Sequence, residues 1–236
     1  VRVEVITLFP EMVETVLGTS ILGRAQDRGQ LTCHVTSLRE FGLGRYRRVD
    51  DSPYGGGPGM LFRPEPVFAA VEAAIERAGE PCRLLMPSPQ GRRFDQSFAH
   101  QLAEEPRPMV ILCGHYEGID ERVRQAFSFE EVSVGDVVLT GGEMPALVML
   151  DAAVRLLGGV LGNEGSSAVD TFSEAAGGKL KFPQYTRPAE FRGMRVPDVL
   201  LSGHHLEIER WRAAEAARAT REKRPDLLSD AEGGEA

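Results

Sequence analysis

The chain has 236 residues, 42% of them apolar, enough to bury one large core or a main core plus a small one and too many for a disordered chain. Its 27 basic and 35 acidic residues leave a net charge of −8, which argues against a protein that coats nucleic acid by bulk positive charge. No apolar run approaches the roughly 20 residues of a membrane-spanning helix. The three cysteines, Cys33, Cys82 and Cys113, form no C-x-x-C pair, so a reducing cytoplasm is expected rather than a disulfide scaffold or a zinc knuckle.

Val1, Val3 and Val5 alternate and run into ITLF before Pro10, which predicts a first strand. The opening VRVEVITLFPEM sets acids among its apolar residues and carries no cleavable secretory pattern. Pro10 suits the first position of a helix through EMVETVLG. A second short helix is predicted at 21–28, stopped by Gly29, and a second strand at 31–38. Residues 39–63 have no period and many Gly, Arg and Asp, and a loop of that length in a compact domain is usually functional or disordered. A helical face at Val67, Phe68, Val71, Ala74 and Ile75 predicts a helix over 64–77. A short strand follows at 83–86, then a turn at SPQG, then a helix capped by Asp95 and running to Ala103. MVILC at 109–113 reads as a strand buried on both faces. A helix at 119–127, a strand at 130–134, an extended piece at 137–139 and a long apolar helix at 144–157 complete the pattern. Strands alternating with helices imply an α/β domain with a largely parallel sheet.

Past Gly158 the texture changes, and 158–200 is rich in Gly, Ser and Pro without a sustained period. Residues 204–223 read as a charged helix with Leu206, Ile208 and Trp211 as its apolar contacts, ended by Pro225. The expected division is a main domain at 1–160, a linker at 161–180 and a small helical domain at 181–236. No internal repeat is present.

Four glycine-rich turns follow strand-like runs: PYGGGPGM (53–60), SPQG (88–91), GHYEG (114–118) and GDVVLTGGE (135–143). Glycine allows positive φ and close approach of a ligand to the backbone. One such turn is usually only a turn. Three after buried strands of one sheet point to a ligand at the carboxyl ends of the strands, held by main-chain groups. No G-x-x-x-x-G-K-[ST] is present, the first strand is followed by FPEM rather than G-x-G-x-x-G, and neither H-E-x-x-H nor G-x-S-x-G occurs. A nucleotide triphosphatase, a dinucleotide oxidoreductase, a zinc peptidase and a nucleophile-elbow hydrolase are thereby disfavoured. Local basic patches exist: Arg210, Arg212, Arg218, Arg221, Lys223 and Arg224 against Glu215 and Glu222, and Arg45, Arg47 and Arg48 near the long loop. They fit either a grip on phosphates or a solvated, ion-paired face.

Several segments, in order along the chain, resemble bacterial tRNA (guanine-N1)-methyltransferases: DDSPYGGGPGM (50–60), SPQGRR (88–93), LCGHYEGIDERV (112–123), VGDVVLTGGE (134–143), YTRP (185–188), VPDVLLSGHH (196–205) and ERWR (209–212). The resemblance implies a SPOUT-type α/β fold with a largely parallel sheet, a C-terminal trefoil knot that holds S-adenosylmethionine, and a small helical C-terminal domain. It implies a homodimer with active sites between subunits, the tRNA anticodon stem-loop as partner, no DNA and no membrane. The reaction implied is methylation of N1 of guanosine 37, next to the anticodon. A magnesium requirement is compatible with the family, and no ligand constellation in the sequence demonstrates it.

By the same resemblance, Asp170 is the base that takes the N1 proton, Arg155 the cation at guanine O6, and Glu117 a contact near the guanine or the cofactor's amino group. Without it, Asp170 reads as a helix cap or solvated acid, Arg155 as a surface ion pair and Glu117 as a turn acid. The implied cofactor pocket is lined by Met86, Pro89, Gly91, Gly114, Val134, Gly135, Asp136, Val137, Val138, Leu139, Gly141 and Gly142. Asp50, Asp51, Tyr54 and glycines 55–57 are assigned to the tRNA side, together with Arg187, Arg218 and Arg221. Five positions depart from the family's usual residues: His115 where Arg is common, Met86 and Pro87 for Tyr-Leu, Lys181 where an acid is often found, and Gln184 for His. Two alternatives remain at this point, a SPOUT relative acting on ribosomal RNA and a noncatalytic RNA-binding protein on the same scaffold.

Overall fold

The computed structural model describes residues 1–79, 81–161, 170–173 and 176–229. Residues 162–169 of the expected linker lie outside that set. The chain divides into two compact units, Val1–Gly162 and Asn163–Ala236.

The first unit is built on a five-stranded sheet in the order β2-β1-β6-β5-β7, parallel at every pairing. Its strands are β1 (Arg2–Thr7), β2 (Thr32–Ser37), β5 (Arg83–Arg93), β6 (Met109–Leu112) and β7 (Glu130–Ser133). The helices are α1 (Pro10–Leu17), α2 (Ser20–Asp27), α3 (Pro64–Ala78), α4 (Gln96–Ala103), α5 (Glu121–Ala126) and α6 (Glu143–Val154). Strand periodicity divides the core into two layers. Val3, Val5, Met109, Ile111 and Leu85 face α1, α2, α4 and α6, while Ile6, Val110, Leu112 and Met86 face α3 and α5. That two-sided burial is why MVIL reads as a continuous apolar run, and each fully buried Leu or Ile stabilises by about 1.5–3 kcal/mol.

Several polar residues inside this unit are paired. Glu4, among the valines of β1, is buried and accepts from Arg77 Nε of α3 at 2.7 Å. Arg77 also donates to Thr36 Oγ1 at 2.9 Å. Asp95 caps α4, its carboxylate accepting from Phe98 N at 2.8 Å.

The structure departs from the sequence reading in several places. The strand expected at 83–86 continues to Arg93: pairing with β7 stops at Pro87↔Val132 and resumes at Arg92↔Val132, so the SPQG turn is a bulge within one strand. The extended piece expected at 137–139 is not a strand, and Val137, Val138 and Leu139 are exposed apolar residues of a loop. The long loop carries a two-stranded antiparallel ladder, β3 (Asp50–Asp51) with β4 (Leu61–Phe62). Phe62 is fully buried there. Three main-chain hydrogen bonds tie this loop to the turn before α5: Phe62 N to Gly118 O, Glu117 N to Met60 O and Asp120 N to Phe62 O, at 2.9–3.1 Å.

The second unit holds a short hairpin, β8 (Glu190–Phe191) with β9 (Met194–Arg195), then α7 (Asp198–Leu201), α8 (His205–Lys223) and α9 (Asp226–Ser229). Thr220 of α8 is buried and accepts from Leu180 N at 3.1 Å. Arg212 lies over the Phe182 ring, and Tyr185 packs near Trp211. Trp211 and Ile208 are partly covered as expected, but Leu206 is 77% exposed and is not an apolar contact of α8. Among the described residues no helix is long and apolar enough to cross a membrane.

Arg83 at the start of β5 joins Glu105 and Glu130 across the sheet edge. Hydrogen bonds from Arg107, with Arg83 beside them, hold the Glu105 carboxyl down at about 2. A depressed carboxyl stabilises the fold above its unfolded pKa of ~4.3, and that contribution is lost as pH falls through the folded value. Glu105→Gln should therefore unfold at a lower temperature than the native chain at neutral pH. The two melting curves should converge between pH ~4.3 and ~2, and a constant gap would show that Glu105 is not stabilising through its charge.

Candidate functional site

A cavity of about 270 Å³ opens at the carboxyl ends of β5, β6 and β7. Its walls are residues 86–90 from the β5 bulge, 114–119 after β6, and 132–135 and 137–142 after β7, with Arg124 of α5 and Pro145 of α6. Two walls meet without side chains between them. Gly142 N donates to Gly114 O at 2.8 Å. A Cβ on Gly142 would stand 2.8 Å from Cys113 Cα and 3.0 Å from Gly114 N. A Cβ on Gly141 would run into the Glu143 carboxylate and the His115 ring.

Beneath this junction Glu143, the first residue of α6, is almost completely buried. Thr7 at the end of β1 donates to its Oε1 at 2.7 Å, and Phe9 N donates back to Thr7 Oγ1 at 2.9 Å. A carboxylate at a helix N-terminus is favoured by the helix dipole. The His115 ring sits 5.1 Å from both Phe9 and Tyr116, centroid to centroid. Its Nδ1 is buried, 4.0 Å from Glu143 Oε2, with no hydrogen-bond partner among the described residues.

The chemistry of the walls limits the ligand. They offer main-chain N–H and C=O groups, small residues and the apolar side chains of Met86, Val134, Val137, Val138 and Leu139. Their guanidinium, from Arg124, is engaged by Glu131 Oε1 at 3.2 Å. A polyphosphate would want a cluster of cations here, whereas a flat, uncharged adenosine read at its edges by the main chain suits these walls. Among the described residues no group of three or more His, Cys, Asp and Glu is placed to hold a metal ion. Nor do two of the cysteines supply a nucleophile: burial pushes Cys113 well above the usual thiol range and Cys33 up to about 12.

Ten of the twelve residues assigned to the cofactor pocket line this cavity: Met86, Pro89, Gly114, Val134, Gly135, Val137, Val138, Leu139, Gly141 and Gly142. Gly91 and Asp136 do not. A Cβ on Gly91 would collide with the Glu131–Val132 backbone, so that glycine serves the close pairing of β5 with β7. Glu117 lines the cavity and touches the long loop, because a Cβ on Gly59 would strike its side chain. Arg155 is outside the lining: it is the C-cap of α6, whose N-cap Gly142 lines the cavity, and the helix rise puts the two caps ~20 Å apart. Asp170 belongs to the second unit and pairs there with Lys181.

Of the residues assigned to RNA, Asp51 is exposed and bridged to Arg63 at 2.8 Å, and Tyr54 is fully exposed. Arg187 and Arg221 are exposed, while Arg218 is engaged by Glu215 and Glu222. Sequence reasoning missed Ser88, Gln90, Tyr116, Arg124 and Thr140 as wall residues. Four of them sit inside or beside the glycine-rich turns already singled out. Arg124 carried no local signal, since only the fold of α5 turns it to the cavity.

The family model described as "tRNA (Guanine-1)-methyltransferase TrmD" matches residues 1–230. Proteins named tRNA (guanine-N(1)-)-methyltransferase are similar along nearly the whole chain. The one from Anaeromyxobacter dehalogenans is 53% identical over 228 residues, covering 97% of this chain and 91% of its own. Those from Anoxybacillus flavithermus and Bacillus subtilis are 51% and 49% identical, covering 96% and 97% of this chain and 91% and 93% of theirs.

If the junction of the two walls depends on bare backbone, Gly142→Ala should destabilise by about 1–3 kcal/mol in denaturant unfolding. Gly158→Ala, whose Cβ would meet nothing within 4 Å, should stay within about 0.5 kcal/mol of the native chain. Equal effects would remove the steric argument.

Proposed function

The chain belongs to the tRNA (guanine-1)-methyltransferase family, and on that premise we propose how its residues divide the reaction. It is an S-adenosylmethionine-dependent tRNA (guanine-N1)-methyltransferase. The observation that carries the residue assignment is the cavity at the ends of β5, β6 and β7, walled by main chain and small residues and without a phosphate-binding cluster. S-adenosylmethionine supplies a methyl group already activated on a sulfonium. The ten lining residues named above hold it, and Glu117 at the wall supplies a carboxylate for a cationic group or a guanine N–H.

Methylation at N1 requires that guanine lose its N1 proton. An aspartate with a pKa of ~3.9 is too weak to deprotonate neutral guanine outright, but the proton becomes acidic as the N1–carbon bond forms. Asp170 takes it at that stage. Arg155 donates to guanine O6 and stabilises the negative charge that builds there, a role worth roughly 3 kcal/mol in comparable sites. The target is guanosine 37, beside the anticodon, and the setting is the cytoplasm. No step is assigned to magnesium.

Arg155 is at the far end of α6 from the cavity of its own chain. That separation favours a site completed by a second copy, in a homodimer. Met12 and Val16 of α1 and Met144 and Val148 of α6 are exposed apolar residues, each pair spaced i, i+4 on helices that pack together. Such a contiguous face suits a protein interface. In the finer fold, the loops converging after β5, β6 and β7 form the trefoil knot. The second unit's α8, with Arg187, Arg218 and Arg221, is the helical RNA-binding domain, and Asp51 and Tyr54 approach the anticodon stem-loop from the first.

A methyl-transfer assay on tRNA transcripts that differ only at position 37 tests this reading. Guanosine 37 transcripts should be methylated and adenosine 37 transcripts not, and Asp170→Asn should slow transfer by roughly 10²–10⁴-fold while cofactor binding is kept. Equal transfer to ribosomal RNA fragments, or loss of cofactor binding in Asp170→Asn, would reassign the substrate or the residue.

A further inference from the structure

In the second unit, Lys181 Nζ lies 3.2 Å from Asp170 Oδ1. The side chains are 24% and 27% exposed, so the pair is largely withdrawn from water. The backbone around it is fixed from both sides. Lys181 N donates to Thr171 Oγ1 and Phe172 N donates to Lys179 O, each at 3.1 Å. Leu180 N, between the two lysines, donates to the buried Thr220 of α8. The ammonium is thus delivered to the carboxylate by a segment anchored on a helix, across eleven residues of chain. By contrast, the pairs of Arg212 with Glu209 and of Arg218 with Glu215 and Glu222 each span one turn of α8.

We propose that Lys181 is a positioning residue for the methyl transfer, holding the Asp170 carboxylate ionised and oriented for the guanine N1 proton. This rests on the reading of Asp170 as the base. A half-buried carboxylate on a connecting segment has several rotamers to lose, and a misplacement of one ångström at a reacting group can lower a rate by ~10²-fold. The ammonium removes that freedom at a geometry fixed before guanine arrives. It also weakens Asp170 as a base, which the reaction tolerates because the N1 proton is acidic by the time it moves. The proton passes from guanine N1 to Asp170 and then to water. Lys181 neither gives nor takes a proton in these two steps, and a positive charge beside Asp170 favours its return to the carboxylate.

The test compares Lys181→Met, Lys181→Arg, Asp170→Asn and the double variant Asp170→Asn/Lys181→Met in the full-length protein with transcript tRNA. Lys181→Met should lower kcat by about tenfold or more, with KM for tRNA and for S-adenosylmethionine within about twofold of native, and Lys181→Arg should stay within about threefold of native kcat. The double variant should be no slower than Asp170→Asn. Native-like kcat in Lys181→Met with an inactive Asp170→Asn overturns the proposal alone, as does a loss in Lys181→Arg equal to that in Lys181→Met or a fall accompanied by a lower melting temperature. An active Asp170→Asn overturns instead the reading of Asp170 on which the proposal stands.

Discussion

The contact on which the cavity depends is the approach of Gly142 to Gly114, backbone against backbone. The segment after β6 and the segment entering α6 come close enough for a 2.8 Å hydrogen bond because Gly142 carries no Cβ to strike Cys113 and Gly114. Everything nearby is arranged around that closeness. Glu143 follows directly and is buried, which requires Thr7 of the neighbouring strand to satisfy it. His115 is then confined between Phe9 and Tyr116. The bare α-carbon of Gly142 therefore bears on where the helix begins, where Glu143 is buried and how narrow the cavity is.

Much of the first unit was legible because its cues are local. Pro10 opens α1, Asp95 caps α4, and the unbroken MVIL marks a strand covered on both faces. What failed depended on partners distant in sequence. Val137, Val138 and Leu139 look like a strand in isolation, yet no neighbour pairs with them and they stay exposed on the cavity wall. SPQG looks like the end of a strand, but β7 re-engages β5 beyond it. Gly91 resembles a ligand-binding glycine and is instead required where two strands press together. Leu206 shows the limit of counting apolar residues on a charged helix, because a single leucine need not face anything.

The site was less legible than the fold. Glycine-rich turns after buried strands pointed to the cavity at the strand ends, since that inference needs only the sheet. The residues proposed to react had no such signal. Asp170 stands in a segment without a period and Arg155 near the end of a predicted helix, and the roles proposed for them come from resemblance rather than from chemistry visible in the chain. The structure explains the difficulty: one caps a helix away from the cavity, and the other is tied to Lys181 in a separate unit. A reaction whose groups are spread over separate elements leaves no compact motif to read.

The ladder formed by Asp50–Asp51 and Leu61–Phe62, with its three hydrogen bonds to the turn before α5, bears on the thermodynamics of recognition. Ordering a free loop costs about 1–2 kcal/mol per residue in backbone entropy. Here the ends of that excursion are immobilised when the protein folds, so the penalty falls on folding and not on the encounter with a ligand. A ligand meeting this edge of the cavity finds its contacts already rigid, and more of the contact energy survives as affinity.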